Sequence, residues 1–268
     1  MAFNVNNLIV SDVLSGTMFT KDGTKVLFGL TDIVDPNINL GSNPLTLTDR
    51  NGIPICQFMR EKSASLSGSN STFSMSLLAA QMGSGKKVAS EESKLIAPTR
   101  EEIQIGGTTE KANTSITVSK TPIVGTIVLE VLDGDRSPIG INIPIGPSAT
   151  TTTASVSDKT ITLPTGMSLT AADYIGVYYE YETANAVSAG SYIDGGTISG
   201  KFDLEVLFAD KCDQSKIYYG HLVFPSAVLD SAVDLSLKPD SNHPFTINAM
   251  ADYCGSDREL FHVVVPEE

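Results

Sequence analysis

Three groups of residues in this chain could do chemistry, and the first is a glycine- and lysine-rich loop at Gly83–Lys87. It resembles the turn that binds phosphates in nucleotide-binding proteins. That motif requires a glycine where Ala80 lies and a hydroxyl residue where Lys87 lies, and it follows a strand rather than a helix. We therefore predict a solvent-exposed turn at the end of a helix here, not a nucleotide site.

The second group is the acidic pair Asp133 and Asp135, separated by one glycine like the start of a calcium-binding loop. The residues that follow lack the later oxygen ligands and the closing glutamate of such a loop. A short acidic segment with a glycine is also typical of a turn between two strands. The sequence therefore predicts a hairpin turn.

The third group comprises Cys212, His221, His243 and Cys254, which all lie towards the C-terminal end. None is at the CxxC or HxxxH spacing at which a turn or helix brings zinc ligands together. His221 alternates with apolar and aromatic residues, so we expect a core or interface histidine.

No serine lies in a Gly-x-Ser-x-Gly turn, the turn that exposes the nucleophile of many hydrolases. We predict no catalytic, cofactor-binding or metal-binding residues, and a protein that is not an enzyme.

Composition excludes several other classes. The chain has 268 residues, a formal net charge of -13, three cysteines and no tryptophan. A surface this acidic repels nucleic acids and anionic membranes, and sugar-binding modules usually expose aromatic rings. Three widely spaced cysteines suggest free thiols from a reducing compartment. The first residues lack a basic region and a long apolar run, so we expect no secretion signal and no membrane span.

The elements that position these residues are predicted to be short strands, because turn residues recur about every ten positions. In the segment 198–208 the odd-numbered residues from Ser199 to Glu205 are polar, and the even-numbered residues are apolar or glycine. This alternation indicates one buried face and one exposed face. The even positions are Ile198, Gly200, Phe202, Leu204, Val206 and Phe208.

Five such runs follow one another at 197–208, 216–224, 227–237, 244–252 and 259–265. Short polar turns separate them, and short turns join antiparallel neighbours. This part of the chain is predicted to be an antiparallel meander within a sandwich. Because the last run is very apolar, we expect it to pair within the sheet or with another subunit.

Elsewhere the sequence predicts one helix, one exposed stretch and one edge strand. The helix is Thr72–Gly83, with a buried side formed by Phe73, Leu77, Leu78, Ala80 and Met82. The residues of the preceding segment, 63–71, are mostly small and polar, which is typical of an exposed loop or a flat strand. In Ile139–Ile145 every odd residue is isoleucine, which predicts one wholly apolar face, and Pro144 indicates an edge strand or a strand end.

The C-terminal part resembles the end of bacteriophage major tail proteins, the subunits of the tail tube. The segments that carry the resemblance are Phe202–Val206, Leu222–Pro225, Ala227–Asp230, Val233–Leu237, Pro244–Ala251 and Leu260–Val264. The N-terminal half adds the serine-rich stretch before the short helix, Phe73–Ala80. The segment 115–186 resembles the β-rich insertions often found in such proteins.

The resemblance implies a mainly β fold, an antiparallel β-sandwich or barrel of the tail-tube type with one short flanking helix and a β-rich insertion. Residues 1–114 and 187–268 would form a discontinuous tube domain, and 115–186 the inserted segment or small domain. Subunits made in the host bacterial cytoplasm would form rings, usually of six. The rings would stack through a long loop and the N-terminal arm, and would join other tail proteins in the virion.

DNA would pass through such a tube without specific binding. Residues 190–268 hold 13 acidic and 5 basic side chains, a balance of 13 − 5 = 8 negative charges. An acidic lumen would repel phosphates and let DNA slide. Three alternatives stay open at this point: a capsid decoration, head-fibre or baseplate protein, an adhesin, and a hydrolase carried on the virion.

Overall fold

A computed structural model describes residues 7–108, 111–213, 215–251 and 258–266. It is mainly β, with antiparallel sheets and, in the part described, a single helix, which confirms the predicted fold class. The chain divides into unit 1, Met1–Lys87 with Ser188–Glu268, and unit 2, Val88–Val187.

Nineteen strands and one helix follow one another along the described part of the chain. The first part contains β1 (Leu8–Phe19), β2 (Val26–Leu30), β3 (Ile33–Thr48), β4 (Pro54–Asn70), α1 (Met75–Gln81), β5 (Lys87–Val88), β6 (Leu95–Gln104), β7 (Gly107–Thr108), β8 (Lys111–Ala112) and β9 (Ser115–Thr117). The rest contains β10 (Val128–Leu132), β11 (Pro138–Ile143), β12 (Ser155–Ser157), β13 (Thr160–Thr162), β14 (Tyr174–Thr183), β15 (Val187–Ser188), β16 (Ser199–Asp210), β17 (Ile217–Leu229), β18 (His243–Ala249) and β19 (His262–Val264).

Unit 1 is built on one antiparallel sheet in the order β2-β1-β16-β17-β18-β4-β3, with β19 paired to β17. The predicted meander of β16, β17 and β18 is confirmed, and so is the pairing of the apolar last strand within the sheet. The run 227–237 is not a separate strand. Instead β17 continues past Pro225 to Leu229, and the chain from Asp230 has no strand until β18.

The core of unit 1 lies on the face of β16 that the alternation predicts. Gly200, Phe202, Leu204 and Val206 are buried, and the rings of Phe202 and Phe224 are in contact with centroids 6.2 Å apart. Facing residues from the neighbouring strands complete the cluster: Met18, Phe28, Leu30, Leu66, Leu222, Leu229, Phe245 and Ile247. Burial of these large apolar side chains away from water stabilises the sheet.

Glycines let the strands of unit 1 approach one another closely. A Cβ atom on Gly200 would lie 1.8 Å from the carbonyl oxygen of Phe19, and one on Gly16 would lie 2.8 Å from the ring of Phe202. Gly16 would also meet Ile33, the first residue of β3, at 3.2 Å. Strand β1, which lies next to the outer strand β2, therefore comes near the opposite outer strand β3 at this point, as in a partly closed barrel.

The helix is shorter than the sequence predicts, Met75–Gln81 instead of Thr72–Gly83. Ser74 caps it, because its hydroxyl accepts a hydrogen bond from the Leu77 N–H. Leu77 and Ala80 are buried as predicted, whereas 51% of Phe73 is exposed. The stretch 63–71 is not a loop. It is the end of the flat strand β4, paired with both β3 and β18.

Unit 2 contains two larger sheets, ordered β11-β10-β14-β6 and β12-β13-β9, and the two-stranded pair β7-β8, and it has a core of its own. The buried residues include Leu129, Val131, Ile161, Ile175 and Val177. The segment 88–114, which the sequence analysis assigned to the discontinuous tube domain, lies in unit 2 together with 115–186. The reason is that β6 pairs with β14 along its whole length. The short strands β5 and β15 pair with each other.

The predicted isoleucine strand is present as β11. β11 is an edge strand that ends immediately before Pro144, as predicted. Its isoleucine face is not wholly buried, since Ile143 is in the core while Ile139 and Ile141 are about half exposed. A register shift near Gly140, which has a φ of 74°, removes the start of the strand from regular pairing.

Candidate assembly surfaces

The feature of unit 1 with the clearest functional meaning is a long hairpin made by β3 and β4. Near the sheet, β4 buries Ala64 and Leu66. From Gly41 to Ser63, a segment we name the arm, every strand residue is exposed on both faces. A two-stranded hairpin alone in water is at best marginally stable. We therefore expect the arm to be covered when the protein functions.

The tip of the arm is held in a defined turn by Asp49. Its carboxylate accepts hydrogen bonds from the backbone N–H groups of Asn51 and Ile53, both at 2.8 Å. The Asp49 N–H in turn donates to the Ile53 carbonyl, and Gly52 supplies the positive φ of 78° that this turn requires. The arm is therefore a formed ladder up to its tip, with its own turn chemistry.

One face of the arm is apolar. Leu45 pairs with Phe58 and Leu47 pairs with Cys56, so these four side chains lie together on one side of the ladder. Phe58 is 53% exposed, Leu47 is 47% exposed, and Cys56 is an exposed free thiol. A contiguous apolar patch of this kind on the surface of a protein marks a protein-binding site.

Two irregularities bend the arm where it leaves the sheet. The register of β3 and β4 shifts between Val34 and Asn37, and again between Gly41 and Asn43. Asp35 and Glu61 have a φ of 51°, which is unusual for residues with a side chain. The Asn43 amide donates a hydrogen bond to the Glu61 carboxylate across the second shift. Bulges of this kind set the direction of a strand.

The two ends of the sheet form a second candidate surface. β2 and β3 are its outer strands, so each has one side without a strand partner in the described chain. Val26 at the start of β2 is 53% exposed. Unpaired strand edges can accept a strand from another molecule, and proteins that do not use them usually protect them with charge.

A third surface is the polar face of the same sheet. Glu205 lies beside Asp203 on the polar, half-buried side of β16. The Asp203 carboxylate is 3.1 Å from Nδ1 of His221, and the Ser15 hydroxyl donates to Glu205 at 3.1 Å. This face carries carboxylates whose hydrogen bonds are satisfied, so it is suited to contact with water and not to burial.

Both of the loops considered for chemistry are turns. Gly83, with a φ of 65°, ends α1, and the lysines that follow lie in an exposed segment. The Asp133 carboxylate accepts hydrogen bonds from the N–H groups of Asp135 and Ser137 in the turn between β10 and β11. These observations confirm the two predicted turns.

Within the described part of the chain, Cys212, His221 and His243 are not brought together. Cys212 is exposed, His221 pairs with Asp203 outside the core, and His243 is buried beside α1. Cys254 lies outside the described residues. Across the residues the structure describes, no three of the side chains that bind metals form a cluster.

The most perturbed carboxylate of unit 2 has a structural role. Glu101 accepts hydrogen bonds from Tyr179 and from the hydroxyl and N–H of Ser119, and the Lys120 N–H donates to the Tyr179 hydroxyl. Burial alone would raise the pKa of Glu101, but these hydrogen bonds outweigh it and lower the pKa. The group therefore stays ionised and fixes a turn.

The sequence predicts no assembly surface in the arm. Its signal was present in the Asp49–Gly52 turn, flanked by alternating apolar residues such as Leu45, Leu47, Ile53 and Ile55. Prolines and asparagines within β3 obscured the strand. The resemblance also implies a separate N-terminal segment that helps rings to stack. Its first residues, 1–6, lie outside the described part of the chain.

Comparison with known proteins gives one family. The family model described as the YomU/Tube protein family matches residues 52–257, which extend from the tip of the arm past β18. No curated protein matches the chain. Within the described ranges, no helix is long and apolar enough to cross a membrane.

Proposed function

The chain belongs to the YomU/Tube protein family, which bears out its resemblance to phage tail tube proteins, and on that premise we propose that copies of it assemble into stacked rings that form a tail tube. The tube would conduct DNA during ejection and would contact other tail proteins in the virion. The chain would act as a structural subunit and not as an enzyme. Rings of six are the arrangement that we expect.

The observation that carries this proposal is the arm. Its apolar face, with Phe58 and Leu47 at the centre, has no cover within the described chain, and an isolated hairpin gains too little from its own contacts to be stable. A second copy can supply the missing cover. We propose that the arm of one subunit packs on a neighbouring subunit and joins successive rings.

The sheet edges and the polar face complete the proposal. Pairing of outer strands between neighbours would turn the edges β2 and β3 into ring contacts. The face with Asp203 and Glu205 would line the lumen, where carboxylates repel phosphates and let DNA slide. Neutralising these two acids should then slow DNA ejection without preventing tube formation.

Two further expectations belong to the same proposal. Unit 2 would be an inserted domain that is not needed for the tube wall, because it has a core of its own. The free thiols of Cys56 and Cys212 fit synthesis in the reducing cytoplasm of the bacterial host.

Negative-stain microscopy of the purified chain tests the proposal. We expect rods of uniform width from the natural chain and none from Phe58→Asp, because a carboxylate cannot be buried unpaired in the contact. Val124→Asp is the matched control, since Val124 is 95% exposed in unit 2 and lies outside the arm. Monomers or trimers that bind capsids would instead identify a decoration protein. Rods from Phe58→Asp would contradict the role of the arm.

A further inference from the structure

His243, the first residue of β18, connects the helix α1 to the sheet. It is 1% exposed. The Ser74 N–H donates to its Nδ1 at 3.4 Å, and its Nε2 lies 2.8 Å from the Gln81 side-chain oxygen. The Gln81 amide nitrogen then donates to the Pro244 carbonyl at 2.9 Å. Both ends of the helix are thereby bound to one imidazole and its neighbour.

These contacts define which nitrogen of His243 carries the proton. Nδ1 accepts from a backbone N–H, so it must be unprotonated, and Nε2 must carry the hydrogen donated to the Gln81 oxygen. The ring also stacks on Phe73, with centroids 5.4 Å apart. A second proton, on Nδ1, would point at the Ser74 N–H and remove that hydrogen bond.

The surroundings of His243 offer little to compensate a positive charge. The helix has no acidic residue in its first turn and no basic residue in its last, and the β4 residue paired with His243 is the neutral Asn70. The charged groups nearby are Asp32, whose N–H donates to Asn70, and Lys238 and Asp240. The last two share with His243 the lining of a cavity of about 380 Å³. None of the ion pairs found among the described residues includes His243.

We propose that Ser74, Gln81 and His243 form a pH-sensitive latch that holds α1 on the sheet while the imidazole is neutral and releases it when the imidazole is protonated. The cavity beside His243 gives the proton a route to the ring. Release would expose Leu77 and Ala80, which are buried under the helix.

The latch has a consequence for assembly. The helix packs against β2, one of the two outer strands of the sheet. Opening the latch would therefore remove support from an edge that we expect to join neighbouring subunits. This consequence rests on the proposed function, whereas the latch itself is a property of the single chain.

The direction of the pH effect follows from the environment. Burial lowers the pKa of His243 below its usual value of 6.5. With the helix released, the imidazole would titrate near that usual value. The latch is thus fully effective above about pH 6.5 and weakens progressively as the pH falls below it.

Hydrogen–deuterium exchange of residues 75–81 in the whole chain tests the latch. After correction for intrinsic exchange, we expect protection of the helix to fall between pH 7.5 and pH 5.5 by up to about ten-fold, the limit for one proton that binds only the released state one pH unit below a pKa of 6.5. Protection that is equal at both pH values would overturn the proposal, as would an imidazole NMR titration of His243 near pH 6.5.

Two variants and one control make the test specific. His243→Asn keeps an acceptor near Nδ1 but cannot titrate, so its protection should be the same at both pH values. Gln81→Glu places a carboxylate 2.8 Å from Nε2 and should remove or reverse the loss at pH 5.5, even if the variant is less stable overall. His221→Gln, at a partly exposed histidine, should behave like the natural chain. If Gln81→Glu loses as much protection at pH 5.5 as the natural chain does, the latch is also contradicted.

The effect on assembly is measured separately, by rod formation at pH 5.5 and pH 7.5. If the exchange results hold while rods form equally at both values, the latch stands and its link to assembly fails. If no rods form at either pH, the proposed function fails while the exchange result still decides the latch.

Discussion

Unit 1 contains two long antiparallel hairpins that use the same backbone geometry for different purposes. In the β16–β17 hairpin, buried residues of β16 alternate with half-buried ones, and the buried side, with Phe202 and Phe224, forms the centre of the core. The arm has a comparable ladder and a comparable apolar face, but none of its residues from Gly41 to Ser63 is buried.

The difference separates folding from assembly. Phe202 gains its burial within the chain, so its contribution belongs to the free energy of folding. Phe58 gains burial only when another surface covers the arm, so its contribution belongs to association. A charged substitution on the apolar face of the β16–β17 hairpin should therefore prevent folding. The equivalent substitution in the arm should leave folding intact and prevent assembly.

The largest expected effect comes from Phe202→Asp. The change removes a fully buried ring and leaves a carboxylate without a partner, which together should cost more than about 4 kcal/mol and abolish folding. Circular dichroism and thermal unfolding would show the loss, and Val206→Asp should behave in the same way. A soluble, cooperatively folding Phe202→Asp variant would mean that the buried face of β16 is assigned wrongly.

A smaller effect is expected from Gly200→Ala. The new Cβ would lie 1.8 Å from the Phe19 carbonyl oxygen, so the two strands must separate, at a cost of about 1–3 kcal/mol in the free energy of unfolding.

Gly41→Ala is the matched change in the arm. There the new atom meets only the Ser63 hydroxyl, 2.6 Å away, and that side chain can rotate. We expect urea unfolding to place the Gly41→Ala midpoint within error of the natural chain. Equal losses in both glycine variants would show that the arm contributes to the stability of the free subunit.

Like Gly41→Ala, Phe58→Asp is expected to have only a small effect on stability. Because the ring is 53% exposed in the single chain, the free energy of unfolding should change by no more than about 0.5 kcal/mol. The same variant should lose rod formation, as set out above. A large fall in the unfolding temperature would place Phe58 in the folding core and remove the contrast with Phe202.

The sequence predicted strands correctly where burial of one face within the chain produces alternating apolar and polar residues. β16 was predictable in this way, and so were β17, β18 and the turn at Asp133, because their partners lie nearby in the chain. The predicted strand at 227–237 failed since apolar alternation continues through Val233 and Leu235, which pair with no strand in the structure.

The candidate surfaces were less predictable, for two physical reasons. The apolar alternation at Leu45 and Leu47 is short and follows prolines and asparagines within β3, residues that are typical of turns, so the strand was not identified. The latch joins Gln81 to His243, 162 positions later in the chain. No local pattern predicts a contact of that separation.

The most direct test of the account is the reactivity of Cys56, which lies on the apolar face of the arm. With Cys212 and Cys254 replaced by serine, maleimide labelling of Cys56 should be fast in free subunits, where the thiol is exposed, and at least ten-fold slower in assembled rods. Equal labelling rates in subunits and rods would show that the arm stays uncovered and would contradict its role in assembly.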